Sequence, residues 1–224
     1  MYPKYDRLKI QAQPYAVADD VDAQMKIGFS DAFLESKHEK NPTLTISECE
    51  YLWLGFDYYR KLPAFDGIML HSSCIAVDGY AYLFSAACGT GKSTHTSLWK
   101  KRFGDRAVYV NDDKPALRII DGNVFACGTP FSGKTDLNTN ICVPLKGICL
   151  LSRGAENRIQ ITDTRCAIPQ LLNQMCRPED PEMMAATMDI LSKILSKVPV
   201  FSLFCNISDE AVDVSYNAMC KNLL

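Results

Sequence analysis

Residues 86–93 read Ala-Ala-Cys-Gly-Thr-Gly-Lys-Ser. The spacing is that of a phosphate cradle, G-x-x-x-x-G-K-[ST], with alanine in the first glycine's place. Gly89 and Gly91 stand where a side chain would intrude on a phosphate. Backbone N–H groups of Cys88, Gly89, Thr90 and Gly91, continued by Lys92, Ser93 and Thr94 at the start of a following helix, would converge on the anion. Lys92 is the residue to reach the β- and γ-phosphates, and the Ser93 hydroxyl is the one to hold Mg²⁺. Ala86 is compatible with this wherever its φ is negative. The pattern predicts a nucleotide site, taken as ATP with Mg²⁺.

A phosphate cradle needs an acid on the metal side. Residues 107–113, Ala-Val-Tyr-Val-Asn-Asp-Asp, are an apolar run that ends in Asp112 and Asp113, about twenty residues beyond the cradle. One acid would hold the metal. A second could accept the proton of an attacking hydroxyl. Successive strand side chains point to opposite faces, so both can act only if the strand stops there and the backbone turns. Pro115 is consistent with such a stop.

These residues need elements to hold them. Residues 67–77 and 80–86 read as two strands split by Asp78-Gly79, a strong hairpin signal. Residues 94–103 continue the cradle as a helix, and Asp121-Gly122 splits a second hairpin. Residues 143–153, 157–163 and 198–207 read as further strands, 181–198 as an amphipathic helix opened by Pro-Glu, and 208–223 as a last helix capped by Ser208. Residues 46–62 are aromatic-rich and read equally as a strand pair or a short helix, whereas 37–43 read as a polar loop. His95 reads as a capping or surface residue of the helix after the cradle. The expectation is an α/β fold in a single domain over 1–224, with 1–65 as an extension packed on a nucleotide-binding core over 66–224.

Composition narrows the function classes. The chain has 224 residues, 47% hydrophobic and 22% charged, with a net charge of −2. Such a balance argues against a broad basic nucleic-acid surface. No apolar run reaches membrane-spanning length, and the first residues carry no apolar signal core, so a cytoplasmic protein that binds neither nucleic acid nor membrane is expected. Ten cysteines show no Cys-x-x-Cys pair and no zinc spacing. Most are expected to be buried free thiols, Cys88 inside the cradle being the exception.

The order of these features resembles the C-terminal catalytic domain of HPr kinase/phosphorylase. The resembling residues are a histidine-bearing strand with His71, a hairpin, the cradle, and the strand ending in Asp112-Asp113. The stretch Cys-Gly-Thr-Gly-Lys-Ser-Thr is also similar to the loop of phosphoenolpyruvate carboxykinases. The likeness covers about residues 66–134 and points to the small HPr kinase-related proteins. It implies a phosphate-loop fold of that type, with hairpins before and after the loop unit and helices near the C-terminus. It implies His71 as an active-site residue, Asp113 as proton acceptor and Asp112 as a metal-side acid, although spacing alone does not separate the two acids. Three departures stand out: the chain has no room for the family's separate N-terminal domain, the family's loop keeps the first glycine that Ala86 replaces here, and the family's basic C-terminal loop has no counterpart. HPr itself is therefore not the expected acceptor.

The expected activity is transfer of the γ-phosphoryl group of ATP to a hydroxyl, serine or threonine, of a peptide or small protein. A small-molecule kinase and a non-catalytic nucleotide sensor are the alternatives, and a homo-oligomer is left open. Lys134, in a Gly/Ser loop over 128–138, is the residue assigned to the transferred group or the acceptor. Arg118, Arg153 and Arg165 are further sources of positive charge.

Overall fold

The structure, a computed structural model, describes residues 1–18 and 21–221. Among the described residues three α-helices precede the first strand: α1 (Asp6–Ala12), α2 (Asp31–Lys40) and α3 (Ile46–Lys61). The expected polar loop therefore begins later than the sequence suggests, because Lys37 to Lys40 close α2 and only Asn41 leaves the helix. The ambiguous aromatic stretch is helix α3. Thr45 and Glu48 form a capping box at its start, with Thr45 Oγ1 accepting from the Glu48 N–H and Glu48 accepting from the Thr45 N–H. Its buried residues Tyr51, Leu54, Gly55 and Tyr59 recur at helical spacing.

Nine strands follow among the described residues: β1 (Gly67–Met69), β2 (Ser72–Val77), β3 (Tyr80–Ser85), β4 (Ala107–Asn111), β5 (Ala116–Ile120), β6 (Asn123–Cys127), β7 (Cys142–Arg153), β8 (Arg158–Ile161) and β9 (Val200–Cys205). Between them lie helices α4 (Lys92–Phe103), α5 (Thr164–Leu172) and α6 (Pro181–Leu195), and α7 (Asp209–Lys221) closes the described chain. Residues 67–77 are two strands rather than one. β1 leaves to pair with β5, while β2 pairs with β3 and β4. The break falls at Leu70 and His71, where Leu70 bridges to Met175. Both Asp-Gly turns have positive φ at both residues, 52° and 80° at Asp78-Gly79 and 49° and 74° at Asp121-Gly122.

The sheet branches at β7. Its first residues pair with β6, and the rest lies parallel to β3 on one side and β9 on the other. One arm thus runs β4-β2-β3-β7-β9-β8, the other β1-β5-β6-β7. Side chains alternate across the larger arm. Cys74, Ala76, Ala81 and Leu83 join a core with Leu171, Ile190 and Ile194, while Ile75, Val77, Tyr82 and Phe84 join a second with Trp99, Val212 and Met219. Helices α5 and α6 therefore cover one face, and α4 and α7 the other. A third cluster seats α1 and α3 against β1 and β5, through Leu8, Tyr51, Leu54, Tyr59, Met69, Ala116 and Phe131.

The cysteines divide differently from expectation. Cys127 and Cys142 face each other across β6 and β7 and are disulfide-bonded. Cys49, Cys74, Cys149 and Cys205 are buried thiols, but Cys166 as well as Cys88 is exposed. No helix among the described residues is long and apolar enough to cross a membrane.

Candidate functional site

β3, β4, β7 and β9 share one direction, so their C-terminal ends and the N-terminal end of β2 lie at one edge of the sheet. In open α/β sheets this is the edge where ligands bind. The candidate residues gather here. β3 delivers the 86–93 loop, β4 delivers Asp112 and Asp113, and His71 precedes β2.

The loop has the conformation its glycines allow. Gly89 and Gly91 have φ of 75° and 123°, values that side chains resist. Among the described residues only Asp66, Asp78, Asp121 and Asp136 are non-glycines with positive φ, so Ala86 occupies ordinary backbone and costs the loop nothing. Lys92 Nζ folds back to donate to the carbonyl of Ala86 at 2.9 Å and of Ala87 at 3.4 Å. Burial pulls its pKa below the usual lysine value, and the charges of Asp113, Cys88 and Asp112 offset part of that. Arg153, from the end of β7, donates to the carbonyls of Gly89 at 2.5 Å and Thr90 at 3.1 Å. Of Arg118, Arg153 and Arg165, it is the one whose side chain hydrogen-bonds to the loop. Arg118 instead donates to the Phe65 carbonyl.

Both acids reach one cavity because the strand is broken before them. Asn111 ends β4, and its Oδ1 accepts from the N–H of Asp113 at 2.9 Å and of Lys114 at 2.6 Å. This side-chain turn replaces the next rungs of the ladder. Asn111 was not singled out by its sequence position, although an asparagine at a strand end is a recognisable turn signal. Asp112 turns inward, 5% exposed, and accepts from the Ser73 hydroxyl. Ser73 in turn lies 2.7 Å from Thr96 Oγ1 on α4. The other oxygen of Asp112, Oδ2, is buried with no hydrogen-bond partner. An orphaned buried carboxylate oxygen costs about 1–3 kcal/mol. It fits a cation, whose charge would replace the missing donor. Among the described residues no three His, Cys, Asp or Glu side chains cluster as a metal site. A cation at Asp112 would therefore complete its shell from phosphate oxygens, water and the Ser93 hydroxyl, a sharing typical of Mg²⁺.

Asp113 turns toward His71, whose Nε2 lies 3.2 Å from Asp113 Oδ1. Lys114 pairs with its other oxygen. Burial pushes the Asp113 pKa up, but the His71 hydrogen bond and the Lys114 charge outweigh it and hold the carboxyl below the ordinary value. Asp113 is thus an ionised acceptor. His71 is oriented from the far side by Gln174, which places Oε1 2.9 Å from Nδ1 and accepts the His71 N–H at its carbonyl at 2.7 Å. Gln174, Ser73 and Lys114 are partners that no local motif marks.

Lys92, Ser93, Asp112, Asp113, His71 and Lys134 all line one cavity of about 590 Å³. Lys134 is exposed at its rim. On the other side of the loop lies a second cavity of about 520 Å³, lined by Gly89, Leu98, Leu151, Arg153 and Ile207 among others. His95 is not a surface residue but is buried, with Trp99 Nε1 donating to its Nε2 at 3.1 Å.

No protein-family profile matches this chain, and no curated protein matches it. Among solved structures, the Hpr(Ser) kinase/phosphatase from Coxiella burnetii superposes with a TM-score of 0.40 at 10% identity, covering 68% of this chain and 97% of that one.

Proposed function

We propose that the chain is an ATP-dependent kinase that moves the γ-phosphoryl group to a hydroxyl of a peptide or small protein. The observation that supports this best is the pair of adjacent acids. Asp112 offers a bare oxygen to a cation, while Asp113, ionised and oriented by His71, faces the same cavity as Lys92. A module that only binds nucleotide has no use for the second arrangement. The triphosphate would lie on the 86–93 loop, exchanging its oxygens for the carbonyls that Lys92 now holds. The nucleoside would extend into the second cavity, between Leu98, Leu151 and Ile207. Mg²⁺, when bound, would neutralise charge on the transferring group. Asp113 would accept the proton of the attacking hydroxyl, and Lys134 would steady the acceptor or the phosphoryl oxygens. The cavity wall also includes Leu44, Glu48 and Leu52, a surface that a nucleotide does not need and an acceptor can use. Most of the rate would come from positioning and fixed charge.

The test is ATP turnover with Mg²⁺ in the presence of a cell extract, with the γ-phosphate traced by mass spectrometry. Phosphate should appear on an acceptor hydroxyl, and Asp113→Asn should lower the rate by about a hundredfold or more while leaving ATP affinity nearly unchanged. Tight ATP binding without transfer, insensitive to Asp113→Asn, would instead identify a nucleotide sensor.

A further inference from the structure

Gly133 presses on the Asp113 carboxylate. It holds φ of 72°, and a Cβ placed on it would stand 2.8 Å from Cβ, Cγ and Oδ2 of Asp113. Nothing larger than a hydrogen fits between them. Both polar groups of Gly133 are held by the N-terminal helices. Its N–H donates to the Tyr51 hydroxyl at 3.0 Å, and its carbonyl accepts from Arg7 Nη2 at 2.8 Å. Arg7 comes from α1 and Tyr51 from α3, and the guanidinium lies over the Tyr51 ring at 4.2 Å. The Tyr51 ring meets Phe131 edge-on, so it is fixed before its hydroxyl makes any bond. Arg7 is steadied in addition by Glu48 and Asp136, each 3.8 Å away.

The end of α1 and the 3-10 turn that follows it grip the loop again further along. Asn138 receives a hydrogen bond from Tyr15 and donates to Gln11, and Asn140 donates to the Pro14 carbonyl. Those contacts would suffice to hold the loop down. The Arg7 and Tyr51 bonds do something more local, since they fix the peptide planes on both sides of Gly133, which presses on Asp113.

We propose that Arg7 and Tyr51 are positioning residues for Asp113, acting through Gly133, so that the N-terminal helices set the orientation of the proton-accepting carboxylate. This rests on the kinase reading of Asp113. Tyr51→Phe removes one hydroxyl and keeps the ring. Arg7→Met removes the donor, and Arg7→Lys restores a charged donor on a similar stem.

Two measurements test the proposal. In protein labelled at the aspartate carboxyl carbons, the Asp113 resonance is assigned with Asp113→Asn. At fixed pH it should move in Tyr51→Phe and Arg7→Met, and return toward its original position in Arg7→Lys. An unmoved resonance overturns the clamp whether or not the protein turns over ATP. In turnover of Mg²⁺·ATP with the cell extract, Tyr51→Phe should lower kcat about tenfold or more with KM for ATP unchanged. It should add nothing in the Asp113→Asn background, and an equal further loss there would overturn the proposal. Failure of the kinase reading looks different: the unaltered protein shows no transfer at all. The clamp would then brace a carboxylate without a catalytic task, and the proposal would fall with that reading.

Discussion

In the kinase reading Asp112 separates the demands of folding from those of binding. Its buried, partnerless oxygen destabilises the chain when no cation is present, and the Ser73 hydroxyl satisfies only the other oxygen. Asp112→Asn keeps an acceptor for Ser73 and replaces the orphan oxygen by a neutral amide. The charge is gone but the amide leaves buried donors in its place, so without metal the variant should match the parent's stability to within about 1 kcal/mol, as read by urea denaturation. It should also bind Mg²⁺·ATP at least tenfold more weakly in calorimetric titration. A residue kept for structure alone would move both in the same direction. The sequence made Asp112 and Asp113 legible as a pair, because acids at the end of an apolar run have few structural reasons to be there. It did not separate their roles, because the separation depends on the Asn111 side-chain turn and on Ser73, 39 residues away.

Helix α4 shows what a local element can and cannot disclose. Its start was legible from the glycines and Lys92, and the strands around it from their Asp-Gly turns, because positive φ at two successive residues leaves a clear chemical mark. Its buried face was not, since Trp99 and His95 become core only once α7 packs on them. The capping box of α3 was present in the sequence as Thr45-x-x-Glu48 and would have decided the ambiguity there. His95 now has a consequence for acid stability. Burial lowers its pKa from 6.5 to about 4. The folded chain resists a proton that the unfolded chain accepts, so stability is complete above about pH 6.5 and is lost as the pH falls toward 4. At 1.36 kcal/mol per pKa unit the loss is about 3 kcal/mol. His95→Asn should flatten the dependence of unfolding free energy on pH between 6.5 and 4, and an unchanged slope would mean that the imidazole is already protonated in the fold.

At the scale of the whole molecule, the N-terminal helices and the sheet meet through one shared cluster and the grip on the 128–140 loop. An extension packed on the core is expected from the sequence, but the grip on the loop was not legible, because its hydrogen-bonded partners are more than eighty residues apart. The two tryptophans report on the two regions. Trp53 lies on α3, and Trp99 is fully buried beneath the sheet. If the contacts make one cooperative unit, thermal unfolding followed by Trp99 fluorescence in Trp53→Phe should coincide with that followed by Trp53 in Trp99→Phe, once each is corrected for its own midpoint shift against circular dichroism. Two separate transitions in the unaltered protein would show helices that come and go independently of the sheet.

The loop before α4 is braced from two sides, its carbonyls held by Lys92 on one side and Arg153 on the other. In the kinase reading an anion arriving there would not have to order a chain. It would trade places with carbonyl oxygens at a lysine already aimed inward, and the conformational entropy that a slack loop would forfeit on binding would have been surrendered during folding. The affinity of such a site would in this sense be set before the ligand arrives.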